Sequence, residues 1–255
     1  MKKIFINICL SLFIFSGYAQ NYPQTENTTR IMSYNIRNCR GMDNVVDYQR
    51  VADVITNTRP DVVALQEIDS VTNRSNGVDV LSQLAGLTAM YPIYGASIPY
   101  DGGKYGIGIL SKEKPVSWKH IPLPGREEAR SLLMVEFGDY ILCCTHFSLN
   151  EEDRQTSVSI IDRAVKNYDK PVILAGDINA IPSSPVLKTF SENWAILSDT
   201  AKFTFPSDTA RRVIDYILGY MPENYTYSVW QTGVPNTLAS DHLPIFVDVR
   251  LKTNY

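Results

Sequence analysis

Val172-Ile173-Leu174-Ala175-Gly176-Asp177-Ile178-Asn179 is an apolar, β-branched run that stops on a carboxylate and an amide. Such a run reads as a strand of a packed sheet whose last residues reach one edge. Asp177 and Asn179 flank Ile178, and the period of two predicts that both polar side chains share one side of an extended segment while Ile178 packs inward. Working outward, three more clusters follow or end apolar runs: Asn35 in Ser33-Tyr34-Asn35-Ile36-Arg37, Gln66-Glu67, and Ser240-Asp241-His242. Strands of one sheet can gather such residues, far apart in sequence, around a single cation. Asn, Glu and Asp are hard oxygen donors of the kind Mg²⁺ and Mn²⁺ prefer. His242 adds a group that handles protons near neutral pH.

The remaining pattern mixes β and α. Residues 30–36 and 61–66 read as buried strands. Residues 45–58 place Val46, Val51, Val54 and Ile55 on one helical face before Arg59-Pro60 stops it. Residues 78–89 and 153–168 read as further helices. Short strands at 91–97, 105–110, 116–121, 131–137 and 140–146 suggest an antiparallel meander. A final set at 172–175, 213–218, 225–232 and 244–251 would build a second sheet.

Seven motifs now stand in order: Tyr34-Asn35-Ile36-Arg37, Leu65-Gln66-Glu67, Tyr105 to Ser111, Thr145-His146-Phe147, Gly176-Asp177-Ile178-Asn179, Ile214-Asp215-Tyr216 and Ser240-Asp241-His242-Leu243-Pro244. The series resembles the endonuclease/exonuclease/phosphatase superfamily of metal-dependent phosphoesterases, over about residues 29–251. The resemblance implies an α/β fold of the DNase I-like kind, a four-layer sandwich of two mainly antiparallel sheets packed face to face with helices outside. Asp69, Thr72-Asn73-Arg74-Ser75, Gly102 to Ser111 and Glu128-Ala129-Arg130 look similar to a branch of small proteins related to GPI-anchor remodelling and sphingomyelinase-like domains.

The resemblance also implies roles. Glu67, Asn35 and Asp241 would hold Mg²⁺ or Mn²⁺. Asp177 would position or activate the attacking water, and Asn179 would bind the phosphate. His242 would contact the phosphoryl group or donate a proton, with Asp215 orienting its other ring nitrogen. His146 matches the second histidine, which binds phosphate or assists the leaving group. Arg37 stands where several nucleases of the superfamily carry a second acidic ligand, which puts a two-metal arrangement in doubt. Arg37 and Arg130 are candidates to clamp phosphate or to hold Glu67 by a bidentate pair, and Tyr105 is a candidate to reach the substrate from a glycine-rich hairpin. Each residue taken singly has a plainer reading: Glu67 a solvated strand end, Asn35 a turn cap, Asp177 to Asn179 an Asx turn, His146 a packed ring beside Phe147, the arginines surface ion pairs. His120 has no motif around it.

Composition fits one hydrolase domain. The start, Lys2-Lys3, then an apolar run over 4–15, then Ser16-Gly17-Tyr18-Ala19, has the three parts of a secretory signal. The run is shorter than the ~20 residues of a membrane span. The expectation is a signal over 1–19, one domain over 20–255, no transmembrane segment in the mature chain, and a periplasmic or extracellular location. Losing two lysines takes the formal charge from −3 to −5. Lys and Arg are scattered, which argues against a long polyanion such as DNA as the main substrate. Cys39, Cys143 and Cys144 form an odd set, read mostly as small core residues, with a Cys39 bridge to one of the others left open.

The leading expectation is an exported hydrolase of a phosphodiester or a small phosphorylated molecule or lipid headgroup. A secreted DNase-like endonuclease uses the same residues but needs a basic groove. A catalytically silent binding module is disfavoured because Glu67, Asp177, Asn179 and His242 are all present.

Overall fold

Apolar alternation along the strands decides which layer each residue enters. The computed structural model describes residues 22–221 and 225–253. The basic and apolar N-terminal stretch therefore lies outside the described residues. Along the chain run β1 (Thr29–Asn35), α1 (Tyr48–Thr58), β2 (Val62–Ser70), α2 (Val80–Thr88), β3 (Tyr91–Tyr100), β4 (Gly103–Ser111), β5 (Ser117–Leu123) and β6 (Arg130–Glu136). Then come β7 (Ile141–His146), α3 (Glu151–Val165), β8 (Val172–Asp177), α4 (Pro185–Phe190), β9 (Trp194–Ile196), β10 (Asp215–Tyr220), β11 (Tyr225–Gly233) and β12 (Ile245–Thr253).

Two six-stranded sheets form, in the orders β11-β12-β1-β2-β4-β3 and β5-β6-β7-β8-β10-β9. All pairings are antiparallel except β1 with β2 and β7 with β8. Each parallel pair is a strand, a crossover helix and a return strand, with α1 or α3 as the crossover. Parallel neighbours end at the same edge, so Asn35 stands beside Gln66 and His146 beside Asp177. Antiparallel β10 begins there, and Asp215 is registered against Asp177.

The expected division into a meander and a second sheet is corrected. The hairpin β3–β4 joins β2, whereas β5, β6 and β7 belong to the other sheet; β11 and β12 cover β1 instead of joining β8 and β10. The switch occurs at Lys112-Glu113-Lys114-Pro115, where Lys112 N donates to Asp61 O and Pro115 has no N–H to extend the ladder. Alternation states which residues face a core, but both sheets face the same central core, so it cannot assign a strand to one of them.

Three cores result. Ile31, Val62, Ala64, Ile109 and Val247 meet Leu133, Val135, Cys144, Ile173 and Ala175 between the sheets. Met32, Tyr34, Val63 and Leu65 point outward to Val51 and Ile55 of α1 and to Leu81 and Leu84 of α2. Leu132, Met134, Cys143 and Leu174 point the other way, to Val158 and Ile161 of α3 and Phe190 of α4. Each fully buried Leu, Ile or Val contributes roughly 1.5–3 kcal/mol. Cys143 and Cys144 thus lie on opposite faces, and all three cysteines of the described residues are free and buried, so Cys39 forms no bridge.

Helix ends follow local chemistry. Asp47 caps α1 through Arg50 N at 3.0 Å, which starts that helix after residue 45, and Arg59 ends it in the left-handed region at φ 57°. Asn150 caps α3 through the amides of Glu152 and Asp153. Its acidic first turn, Glu151 to Asp153, suits the positive end of the helix dipole. At the edge remote from Asn35, fully buried Arg30 makes a bidentate pair with Asp248 at 2.6 and 2.8 Å. No helix among the described residues is long and apolar enough to cross a membrane.

Candidate active site

The site is built where strand ends from both sheets meet. Asn35 is fully buried at the end of β1. Its Nδ2 donates to Glu67 Oε1 at 2.9 Å and to Asp177 Oδ2 at 3.2 Å, so one amide spans the two sheets. Its Oδ1 accepts Arg37 N at 3.1 Å.

Glu67 is not a strand end. It sits inside β2 at a bulge between Gln66 and Ile68, with φ 61°. Two consecutive residues against one partner break the alternation there, which turns the carboxylate toward the site while Gln66 stays buried and approaches Ser33 and Cys144. Left-handed backbone at a residue with a Cβ costs roughly 1–2 kcal/mol. The chain repeats the device at Arg37, Asn38 and Cys39, with φ 45°, 50° and 57°.

Asp177 ends β8, and the predicted extended geometry stops there. Asn179 has φ 52°, and its backbone N donates to Asp177 Oδ1 at 2.9 Å, an Asx turn that orients the carboxylate. Ile178 is buried as expected. The Asn179 amide donates to Phe147 O at 2.9 Å, tying the turn to the end of β7.

His242 and His146 both approach Asp177. Nε2 of each lies 3.6 Å from the same oxygen, Asp177 Oδ2. Nδ1 of His242 lies 3.2 and 3.1 Å from the two oxygens of Asp215, whose Oδ2 also accepts Thr204 Oγ1 at 2.6 Å. Burial alone would depress the His242 pKa, but Asp215 and Asp177 outweigh it and push it up to about 10. Burial raises the Asp177 carboxyl to about 7; His242 pulls it down and Asp215 pushes it up. His146 is driven well below its ordinary value by burial first, then by Arg130 and His242.

Asp241 pairs with Arg37 at 3.7 Å. Its loop is pinned by Ser240 Oγ to Asn35 O at 2.7 Å and by Ser207 N to Asp241 O at 2.8 Å. Neither arginine holds Glu67, contrary to one expectation. Arg37 goes to Asp241, and Arg130 is buried against Glu128 at 2.9 Å, Glu127 at 3.2 Å and His146 Nδ1 at 3.3 Å. Tyr105 lies on the β3–β4 hairpin, where burial first and then the Glu67 and Glu128 carboxylates keep its phenol protonated. Arg74 lies 5.5 Å from its ring and is itself clamped by buried Asp69 at 2.6 and 2.7 Å. His120 is exposed at the edge strand β5 but on its inter-sheet face, registered against Leu133 with its ring beside Gly95.

Thr204, Ser207, Ser240 and Glu127 were not singled out in the sequence as site residues. Ser240 adjoins Asp241 and was legible as part of that motif. The other three lie in segments without periodicity, and only the fold reveals their partners.

The donor set fits a hard divalent cation. Glu67, Asp177, Asp215 and Asp241 supply four carboxylates; among the described residues their basic partners are His146, His242 and, at 3.7 Å, Arg37. Among the described residues no basic side chain forms an ion pair with Glu67, a carboxylate oriented by an amide. Glu67, Asn35 and Asp241 are the residues that would hold the ion. Asp177, Asp215 and His242 also offer ligand atoms within 4.8 Å of one another. Both ring nitrogens of His242 face carboxylates, however, an arrangement that suits an imidazolium more than a metal-bound ring.

A family model described as the Endonuclease/Exonuclease/phosphatase family matches residues 32–242. No curated protein matches significantly. Among solved structures, an endonuclease/exonuclease/phosphatase from Beutenbergia cavernae aligns with TM-score 0.73 and 24% identity, over 88% of this chain and 72% of that one. One from Bacteroides vulgatus gives 0.73 and 20%, over 88% and 99%. A Bacteroides thetaiotaomicron mannosyl-6-phosphatase gives 0.70 and 18%, over 87% and 99%. These likenesses concern the fold, a DNase I-like sandwich. The matched span includes every strand end that builds the site, and the chain belongs to the endonuclease/exonuclease/phosphatase family, a superfamily of metal-dependent phosphoric ester hydrolases.

Proposed function

We propose that this enzyme is an exported Mg²⁺- or Mn²⁺-dependent phosphoesterase, acting on a phosphodiester or a small phosphorylated headgroup in preference to bulk DNA. One observation carries the reading: Asp177 Oδ2 is faced by Asn35 Nδ2, His146 Nε2 and His242 Nε2, three donors from three segments. That places an acid and a base 3.6 Å apart at one polar centre. A cation at Glu67, Asn35 and Asp241 would supply positive charge to the phosphoryl oxygens. Asp177 takes a proton from the water as its oxygen bonds to phosphorus, and His242 Nε2–H delivers a proton to the departing oxygen as the old P–O bond breaks. Asp215 stabilises the imidazolium before that transfer. Asn179 and His146 donate to the phosphoryl oxygens.

Export rests on the basic, apolar and small-residue order of residues 1–19, and a single mature domain over 20–255 on motifs that run from Tyr34 to Pro244. Preference for small diesters is supported by the net negative charge and scattered basic residues. The test compares kcat/KM for plasmid DNA, a dinucleotide diester, phosphocholine- and phosphoinositide-type diesters and sugar monophosphates at one salt concentration, with Mg²⁺ and after chelation. Turnover of a small diester that chelation abolishes is expected. Full activity after chelation, or a tenfold preference for plasmid, would overturn it.

A further inference from the structure

We propose that Arg130 is a positioning residue that fixes His146 in the tautomer carrying its proton on Nε2, so that the site's two histidines differ at Nδ1, an acceptor in His146 and a donor in His242. A guanidinium has donors and no acceptor. Arg130 Nη1 lies 3.3 Å from His146 Nδ1, so that nitrogen must present a lone pair and the ring proton must sit on Nε2. The other end of the ring agrees. Nε2 faces an acceptor, Asp177 Oδ2, at 3.6 Å. His242 differs at Nδ1, which faces the Asp215 carboxylate and must donate, while its Nε2 faces Asp177 as that of His146 does.

The guanidinium is not free to turn away. Arg130 is buried at the start of β6, where Glu128 and Glu127 hold it. Glu127 is in turn anchored by Leu149 N at 2.8 Å and Ser148 Oγ at 2.9 Å, just beyond the end of β7. The charged groups around the His146 ring are Arg130 from β6, Asp177 from β8 and His242 from the loop before β12. Two of the three are cationic, and a second proton on His146 would meet both. Burial acts in the same direction.

The consequence for the reaction rests on the phosphoesterase reading. His146 serves as a hydrogen-bond donor through Nε2, and the leaving-group proton falls to His242. Arg130, a candidate phosphate clamp in the sequence, acts through His146 instead.

The experiment is nitrogen-15 NMR of the histidine-labelled protein at pH 7, in which long-range proton–nitrogen correlations show which ring nitrogen is protonated. The chain has three histidines, and His120→Gln and His242→Gln assign the spectrum. His146 protonated on Nε2 alone is expected. A proton on Nδ1 alone, or on both nitrogens, would overturn the proposal. Arg130→Met should release the constraint, giving mixed tautomers and a doubly protonated fraction at pH 6, with kcat lowered roughly tenfold or more. An unchanged spectrum in that variant would assign control elsewhere and defeat the role given to Arg130. Asp177→Asn supplies a second check, because His146 should keep its Nε2 proton there; loss of it would make Asp177 the determinant and overturn the proposal. The spectra require no turnover, so they can fail while the phosphoesterase reading stands, and the reverse.

Discussion

His242 lies between two carboxylates of neighbouring strands: its Nδ1 is 3.1 Å from Asp215 Oδ2 and its Nε2 is 3.6 Å from Asp177 Oδ2. Asp177 and Asp215 are registered partners of β8 and β10, so the sheet ladder itself sets the spacing of the two acids. An imidazolium there neutralises part of the buried negative charge and remains available as an acid. That arrangement makes the site testable residue by residue.

Asp177→Asn and His242→Ala should each lower kcat by at least about a hundredfold, because each removes a proton-transfer group acting in the transition state. Circular dichroism should show the fold retained. Near wild-type kcat in either variant, on the best substrate of the panel, would remove that residue from the chemistry.

Glu67→Gln is expected to weaken the cation chiefly, since it deletes one unit of charge and preserves shape. Part of the lost rate should return at high Mg²⁺. A calorimetric titration with unchanged metal affinity would place Glu67 outside the ligand set.

The raised His242 pKa makes stability depend on pH in the metal-free protein. The folded ring holds its proton up to about 10, whereas an unfolded histidine loses it near 6.5. Its contribution is therefore fully present below pH 6.5 and lost as pH rises toward 10, with a limiting slope of about 1.4 kcal/mol per pH unit. Denaturant titrations in chelator between pH 7 and 9 should show this fall, and Asp215→Asn should flatten it. Parallel curves for the two proteins would show that Asp215 does not supply the shift.

Asp248→Asn should cost about 3–5 kcal/mol of stability, because it leaves the fully buried Arg30 guanidinium without its bidentate partner. Arg30 lies five residues from Asn35 along β1, roughly 17 Å. The folded variant should thus retain kcat. A chemical melt with an unchanged midpoint would contradict the buried pair's structural role.

The motifs, their order and the strand-plus-helix alternation were legible in the sequence because they depend on local periodicity and residue chemistry. Val172 to Ala175 could be read as a strand leading to a carboxylate, and β8 runs on from there to Asp177. Val51 and Ile55 could be placed on the buried face of a helix, and they are. Cys143 and Cys144 could be assigned to opposite faces by the period of two, and they occupy different cores.

Tertiary structure alone decided how those pieces meet. Sheet membership depended on where residues 112–116 carry the chain, since strands of either sheet show the same alternation toward one central core. The aim of Glu67 depended on a bulge with positive φ. A glutamate does not announce that torsion, whereas asparagine favours the left-handed region, and the Asx turn read as the plainer alternative for Asp177 to Asn179 is the one that forms. Arg37 and Arg130 are alike as residues, but one was drawn to Asp241 and the other to Glu127, Glu128 and His146, because the nearest carboxylates were supplied by segments distant in the chain or by a turn of unreadable shape. Local sequence specifies which groups are available for chemistry; the register of β1 with β2, of β7 with β8 and of β8 with β10 specifies which atoms touch, and proton transfer depends on the atoms.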